Sequence, residues 1–197
     1  MGQPTATNPP VRRRDAAATR AAILRAAHLR FLGESYDSVG LRDIAGDAGV
    51  DVALIGRYFG GKEGLFGEIL SPADRPDFTP PADVQDLPEY LAHLAADEDV
   101  GIRDHRMEMF VIMLRSASSP KAGKIIRRLV NEDVLQPMIA ILDEEAGAWR
   151  ANMLLAVLMG IGVLSTVMES DGLTCEIADR AEYLERYRKL FEAILKA

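Results

Sequence analysis

The stretch "DIAGDAGVDVALIGRYFGGKEGLF", Asp43 to Phe66, decides how the chain is read. It contains two helical patterns, each too short to be stable alone in water. The first, "LRDIAGDA", sets Leu41, Ile44, Ala45 and Ala48 on one face. Gly49 and Val50 turn the chain, and Asp51 stands where an N-cap belongs. "VALIGRYF" then points Ile55 and Phe59 inward, and "GGKEGLFGEIL" opens a further helix near Lys62. Two short helices around a glycine-bearing turn make a helix-turn-helix. One such helix can brace across a phosphate backbone while the other enters a major groove, where base edges are distinguishable. The plainer alternative is a small-residue crossing in an ordinary helical bundle.

On the N-terminal side, helical periodicity starts near Asp15, with Ala16, Ile23, Leu24, Ala27 and Phe31 on one stripe. Gly33 and "GESYDSVG" end it. Residues 1–14 are expected to form a flexible basic arm, with three prolines in Met1 to Pro10 and the triple arginine Arg12, Arg13 and Arg14. On the C-terminal side, Ser71 to Pro88 contains five prolines and cannot be one continuous helix. Beyond it, helical patterns run over about 88–98, 103–117, 120–145 (with a kink or break at Pro137), 148–169 and 176–195. No useful strand pattern appears. The expectation is an all-α protein, with a helix-turn-helix domain at 15–70 and a second helical domain at 71–197.

Charge is unevenly spread. The chain carries a formal −7, yet residues 1–70 hold 9 Lys/Arg against 8 Asp/Glu, about +1, and the remainder holds 14 against 22, about −8. A basic end on an acidic body suits a protein that touches a polyanion with one end only. The longest apolar run, Asn152 to Met168, carries two glycines and two hydroxyl residues, and reads as a buried or intersubunit helix, not a membrane span. The single cysteine, Cys175, fits a reducing cytoplasm. No export signal is evident. His28, His93 and His105 lie on separate segments without metal-ligand spacing, and no P-loop or dinucleotide motif occurs. No enzyme chemistry, metal or cofactor is therefore expected.

From Thr19 to Phe66 the chain resembles the DNA-binding domain of the TetR family of bacterial transcriptional regulators. The matching features run in order: Ile-Leu-x-Ala-Ala ending in Phe31, Gly33 and Tyr36, "RDIA", Ala-Gly-Val, Tyr-Phe, and Lys-Glu-Gly-Leu-Phe. The resemblance implies contacts with a double-stranded DNA operator by Arg42 and by the recognition-helix positions Val52, Ala53, Leu54, Gly56, Arg57 and Tyr58. Lys62 matches a phosphate-binding lysine at a helix N-terminus. Arg42 and Arg57 are the candidate base readers, with a phosphate contact the alternative for Arg57. The chain departs from the family at three positions. Gly40 stands where Ser or Thr often caps the second helix, a role open to Ser38, and Leu54 and Gly56 replace common phosphate-contacting residues.

For the second domain the resemblance implies an effector pocket and a dimer interface. Met107, Phe110, Met113, Trp149 and Met153 are the candidate lining of a pocket for a small hydrophobic effector. Ordinary core filling is the alternative for each methionine. Leu154, Val157, Leu158, Ile161 and Leu164, with Tyr187, Leu190, Phe191 and Ile194, are the candidate homodimer interface. The expected function is a cytoplasmic, sequence-specific DNA-binding regulator, a repressor released by its ligand. The competing class is a helical small-molecule carrier that ignores DNA, and specific duplex binding separates the two.

Overall fold

The computed structural model describes residues 11–70, 79–96, 100–142, 146–168, 170, 173 and 180–197. The expected tail at Met1–Pro10, the first half of the proline-rich linker and Cys175 lie outside the described residues. Ten α-helices occur among those described, and no strand. They are α1 (Val11–Gly33), α2 (Leu41–Ala48), α3 (Ala53–Phe59), α4 (Lys62–Leu70), α5 (Leu87–Ala95), α6 (Val100–Ser116), α7 (Pro120–Leu129), α8 (Gln136–Ile139), α9 (Gly147–Gly162) and α10 (Arg180–Lys196). The all-α expectation is met.

Two boundaries differ from the sequence reading. Helix α1 begins at Val11, so the backbone of Arg12, Arg13 and Arg14 lies in its first turns and not in an arm. Arginine is a good helix former, and Pro9-Pro10 mark where the helix can start. At Pro137 the helical path does not stop. A π-helical turn, Val130–Leu135, precedes it, and Gln136 donates its N–H to Asn131. Proline lacks the N–H for the usual bond and its ring crowds the carbonyl four residues back. A widened turn just before it relieves both.

The chain divides into two compact units. One is 1–73 with 112–125; the other is 74–111 with 126–197. The segment 112–125, which the sequence reading gave to the second domain, thus packs with the first. In that unit α2 and α4 pack on α1, and α3 packs on α4. Its core holds Ile23, Ala27, Phe31, Ile44, Ile55, Leu65 and Phe66, all fully buried. Phe66 meets Phe31 and Tyr36 edge-on, each at 5.0 Å between ring centroids. Ile112 is fully buried as well. Hydrogen bonds tie its segment down: Arg115 to the Gly33 carbonyl, the Tyr36 N–H to Ser116 Oγ at 3.2 Å, and Ser119 Oγ to Asp37 Oδ1 at 2.9 Å.

In the second unit α5 packs on α9 and α10. Leu87, Leu91, Met138, Ala151, Leu154, Ile161, Tyr187 and Phe191 form its core. Gly162 lies against the Met107 methyl, and a Cβ there would collide with it. On α10, Arg188 binds Glu185 at 2.8 Å and also pairs with Glu192, while Lys189 lies 3.2 Å from Glu185.

Candidate nucleic-acid interface

Helix α2 ends where Gly49 adopts φ +67. Only there can the Val50 N–H reach the Ala45 carbonyl, at 2.9 Å, and close the helix. An L-residue would pay roughly 1–2 kcal/mol for that backbone. Two residues later Asp51 Oδ1 accepts the Ala53 N–H at 2.7 Å, which starts α3 as the sequence suggests. At the far end Gly60 and Gly61, at φ +72 and +117, pass the chain into α4. The two short helices are therefore fixed by their caps as well as by the core beneath them.

Packing decides which face of α3 is presented. Ile55 and Phe59 point into the core. Val52, Ala53, Gly56 and Arg57 are exposed, and Leu54 and Tyr58 are half-buried. Gly56 sits in open space, so its lack of a side chain leaves the centre of the exposed face low. Gly40, the N-cap of α2, makes no side-chain cap bond. Its bare Cα gives Asp43 room to fold back toward the helix start, where a Cβ would meet the Asp43 carboxylate. Ser38 is engaged elsewhere, with its hydroxyl 2.9 Å from that of Ser35.

Four arginines around the two short helices differ in their engagement. Arg30 binds Asp47 through two nitrogens, at 2.5 and 2.9 Å, which holds the Asp47 carboxyl below its usual range. Arg20 pairs with Glu68 and lies over the Phe59 ring, 5.1 Å from its centroid. These two are committed to holding helices together. Arg42 and Arg57 are exposed and have no ion-pair partner among the described residues. Lys62 stands at the N-terminus of α4 with Nζ 4.5 Å from the centre of the Tyr36 ring. Burial, its largest influence, lowers the Lys62 pKa; Asp37 counters this and Lys121 adds to it.

Two unpaired arginines and a helix-start lysine around an exposed short helix form a surface suited to a duplex. Residues 23–69 match the family described as "Bacterial regulatory proteins, tetR family". Residues 91–195, more than half of the chain, match "Tetracyclin repressor-like, C-terminal domain". The chain belongs to the TetR family. Among solved structures it is similar to NalD of Pseudomonas aeruginosa, at 19% identity and TM-score 0.61, over 89% of this chain and 96% of that one. GusR of Salmonella enterica is similar at 18% identity and TM-score 0.60, over 91% and 96%. At such identities the likeness concerns fold alone. No curated protein matches the sequence of the chain.

The other candidate residues of this TetR-family chain lie mainly on α6, α9 and α10. Met107 is in the core, Phe110 and Met113 are half-buried, and Met113 belongs to the segment grouped with the first unit. Trp149 and Met153 lie outward on α9, 53% and 37% exposed. Leu154, Ile161, Tyr187 and Phe191 are taken up by the core of the chain itself. What α9 leaves uncovered is a stripe of Trp149, Met153 and Ala156, flanked by half-buried Val157 and Leu158; exposed Leu164 lies in the turn that follows, and α10 adds exposed Leu190 and half-buried Ile194. Gly147–Ser165, helix α9 with its continuation, is long and apolar enough to cross a membrane by length and composition, yet only 22% of its most apolar window is buried. The sequence reading missed Arg115, Ser116 and Ser119, which hydrogen-bond to this head from about 80 residues away, and Lys121, which pairs with Glu63. Local pattern gives no sign of such pairing, beyond the Ser119-Pro120 helix start.

Proposed function

We propose that the protein is a homodimeric, cytoplasmic repressor that reads a two-fold symmetric operator and is released by a small apolar ligand. DNA-binding transcriptional regulation is what its family implies. The observation that carries the site is the contrast between engaged Arg20 and Arg30 and unpaired Arg42 and Arg57 beside the exposed face of α3. Arg57 reads a base edge from the major groove, where a bidentate guanidinium on guanine is the commonest specific contact. Val52, Ala53, Leu54, Gly56 and Tyr58 border it. Arg42, Gly40 and Ser38 meet the flanking strand at the start of α2, and Lys62 meets a phosphate.

Dimerisation is supported by the uncovered apolar stripe of α9 and by Leu190 and Ile194 of α10. An apolar helix of mean hydropathy 1.5 with Trp149, Met153 and Ala156 exposed among the described residues is better covered by a second copy than by water. Two copies then present two recognition helices at a spacing of about one duplex turn or more. Repression is supported by the family match over residues 91–195, whose description is repressor-like. The ligand reading rests on the match to a tetracycline-repressor-like C-terminal domain, with half-buried Phe110 assigned to the pocket wall.

Selecting bound duplexes from a random pool tests the central claim. Recovery of one palindromic sequence is expected; recovery of none would favour an apolar-ligand carrier. A thermal-shift screen of apolar molecules, followed by operator titration with each hit, tests release. A releasing ligand must bind the free dimer more tightly than the DNA complex, by the factor through which it weakens DNA binding.

A further inference from the structure

The geometry points to Lys121, on α7, as an additional phosphate anchor of the duplex-binding face, lent to the start of α4 by a segment from the other half of the chain. This rests on the regulator reading above. Ser119 and Ser116 fix the turn between α6 and α7 on Asp37 and on Tyr36, whose ring lies beneath Lys62. From there Lys121 Nζ reaches to 3.5 Å from the carboxylate of Glu63, the residue that follows Lys62. The two ammonium groups are near enough for Lys121 to help lower the Lys62 pKa. Two cations near one helix N-terminus are stabilised by an anion brought between or beside them.

Lys121 is free to make that contact. Its side chain is 70% exposed and that of Glu63 61%, so the pair contributes little and is readily exchanged. Charge accounting by structural unit supports the same assignment. Segment 112–125 contributes Arg115, Lys121 and Lys124 and no acid. With it the first unit holds 12 Lys/Arg against 8 Asp/Glu, about +4, and the second holds 11 against 22, about −11. Without that segment residues 1–73 carry only about +1. Most of the positive charge that distinguishes the head thus arrives with this insertion, at a place continuous with Lys62.

The test is the salt dependence of binding to the selected duplex and to a random-sequence duplex, for the full chain and its variants. Lys121→Ala is expected to weaken both duplexes equally, roughly fivefold per subunit near 0.15 M salt, and to reduce the slope of log K against log salt by about 0.9 per subunit. Lys121→Arg should retain the wild-type slope. The Lys121→Ala loss should persist in a Glu63→Gln background, because the contact is with phosphate. If the loss disappears in that background, Lys121 only neutralises Glu63 and the inference is overturned. A wild-type slope for Lys121→Ala overturns it too, while leaving the regulator reading intact. If the wild type itself selects no sequence, the regulator reading fails and this inference with it.

Discussion

Arg57→Ala should cost about 1–3 kcal/mol in operator binding and relax preference at one position of each half-site. Lys62→Ala should weaken every duplex about equally, as loss of a phosphate contact does. Selection profiles for the two variants check both; uniform weakening by Arg57→Ala would reassign it to phosphate. That Arg57 is exposed was legible in the sequence, because Ile55 and Phe59 fix the inward face of α3 and the helical period does the rest. That Arg30 is engaged was not legible. Its partner Asp47 is on another helix, 17 residues away, and no local pattern announces it. Gly64 and Gly67, both inside α4, show the same limit. A Cβ at Gly64 would overlap the Phe59 carbonyl oxygen, whereas at Gly67 it would meet Ile125 Cγ2 at an ordinary 3.8 Å. Gly64→Ala should therefore destabilise the fold by about 1–3 kcal/mol as overpacking does. Gly67→Ala should be neutral or stabilise it by up to about 1 kcal/mol through helix propensity. Urea midpoints of the two variants decide.

Helices were readable because apolar spacing and capping agree along most of the chain. The end of α2 and the start of α3 followed from Gly49 and Asp51. Around Pro137 the sequence could offer only a kink or a break, since nothing in it specifies a π turn. On α10, spacing shows the pattern of charges but not which of them bind. Arg188 and Lys189 hydrogen-bond to Glu185 and depress its pKa from 4.5 to about 2. A carboxyl with a folded pKa below its unfolded one contributes stability that is fully present above the unfolded value and is lost as pH falls through the folded one. The contribution of Glu185 should thus fade between about pH 4.5 and 2. Glu185→Gln should lower the melting temperature at pH 7 and leave it nearly unchanged at pH 2. An equal drop at both pH values would mean that Glu185 acts through packing, not charge.

At the scale of the whole molecule, assembly is the property most exposed to test. Ala156 is exposed on the apolar stripe of α9, so Ala156→Glu leaves the core of one chain intact while placing a charge where a second copy would pack. The variant should scatter light as a 21.6 kDa monomer and lose high-affinity operator binding, while its circular dichroism stays that of the wild type. A dimeric Ala156→Glu would move the interface off this face. The sequence marked α9 and α10 as apolar, but it could not separate Leu154 and Phe191, which fill the core, from Trp149 and Leu190, which do not. The grouping of 112–125 with 1–73 also has a consequence for how the protein is made. When the first 73 residues leave the ribosome, Ile112 is missing from their core, and the Tyr36 N–H lacks Ser116. At about 5–20 residues per second, completing that set takes several more seconds of synthesis. The nascent head must wait, incompletely folded, for a piece of chain not yet translated. A premature stop between residues 73 and 112 would therefore release a fragment that carries the whole helix-turn-helix sequence without the means to finish folding it.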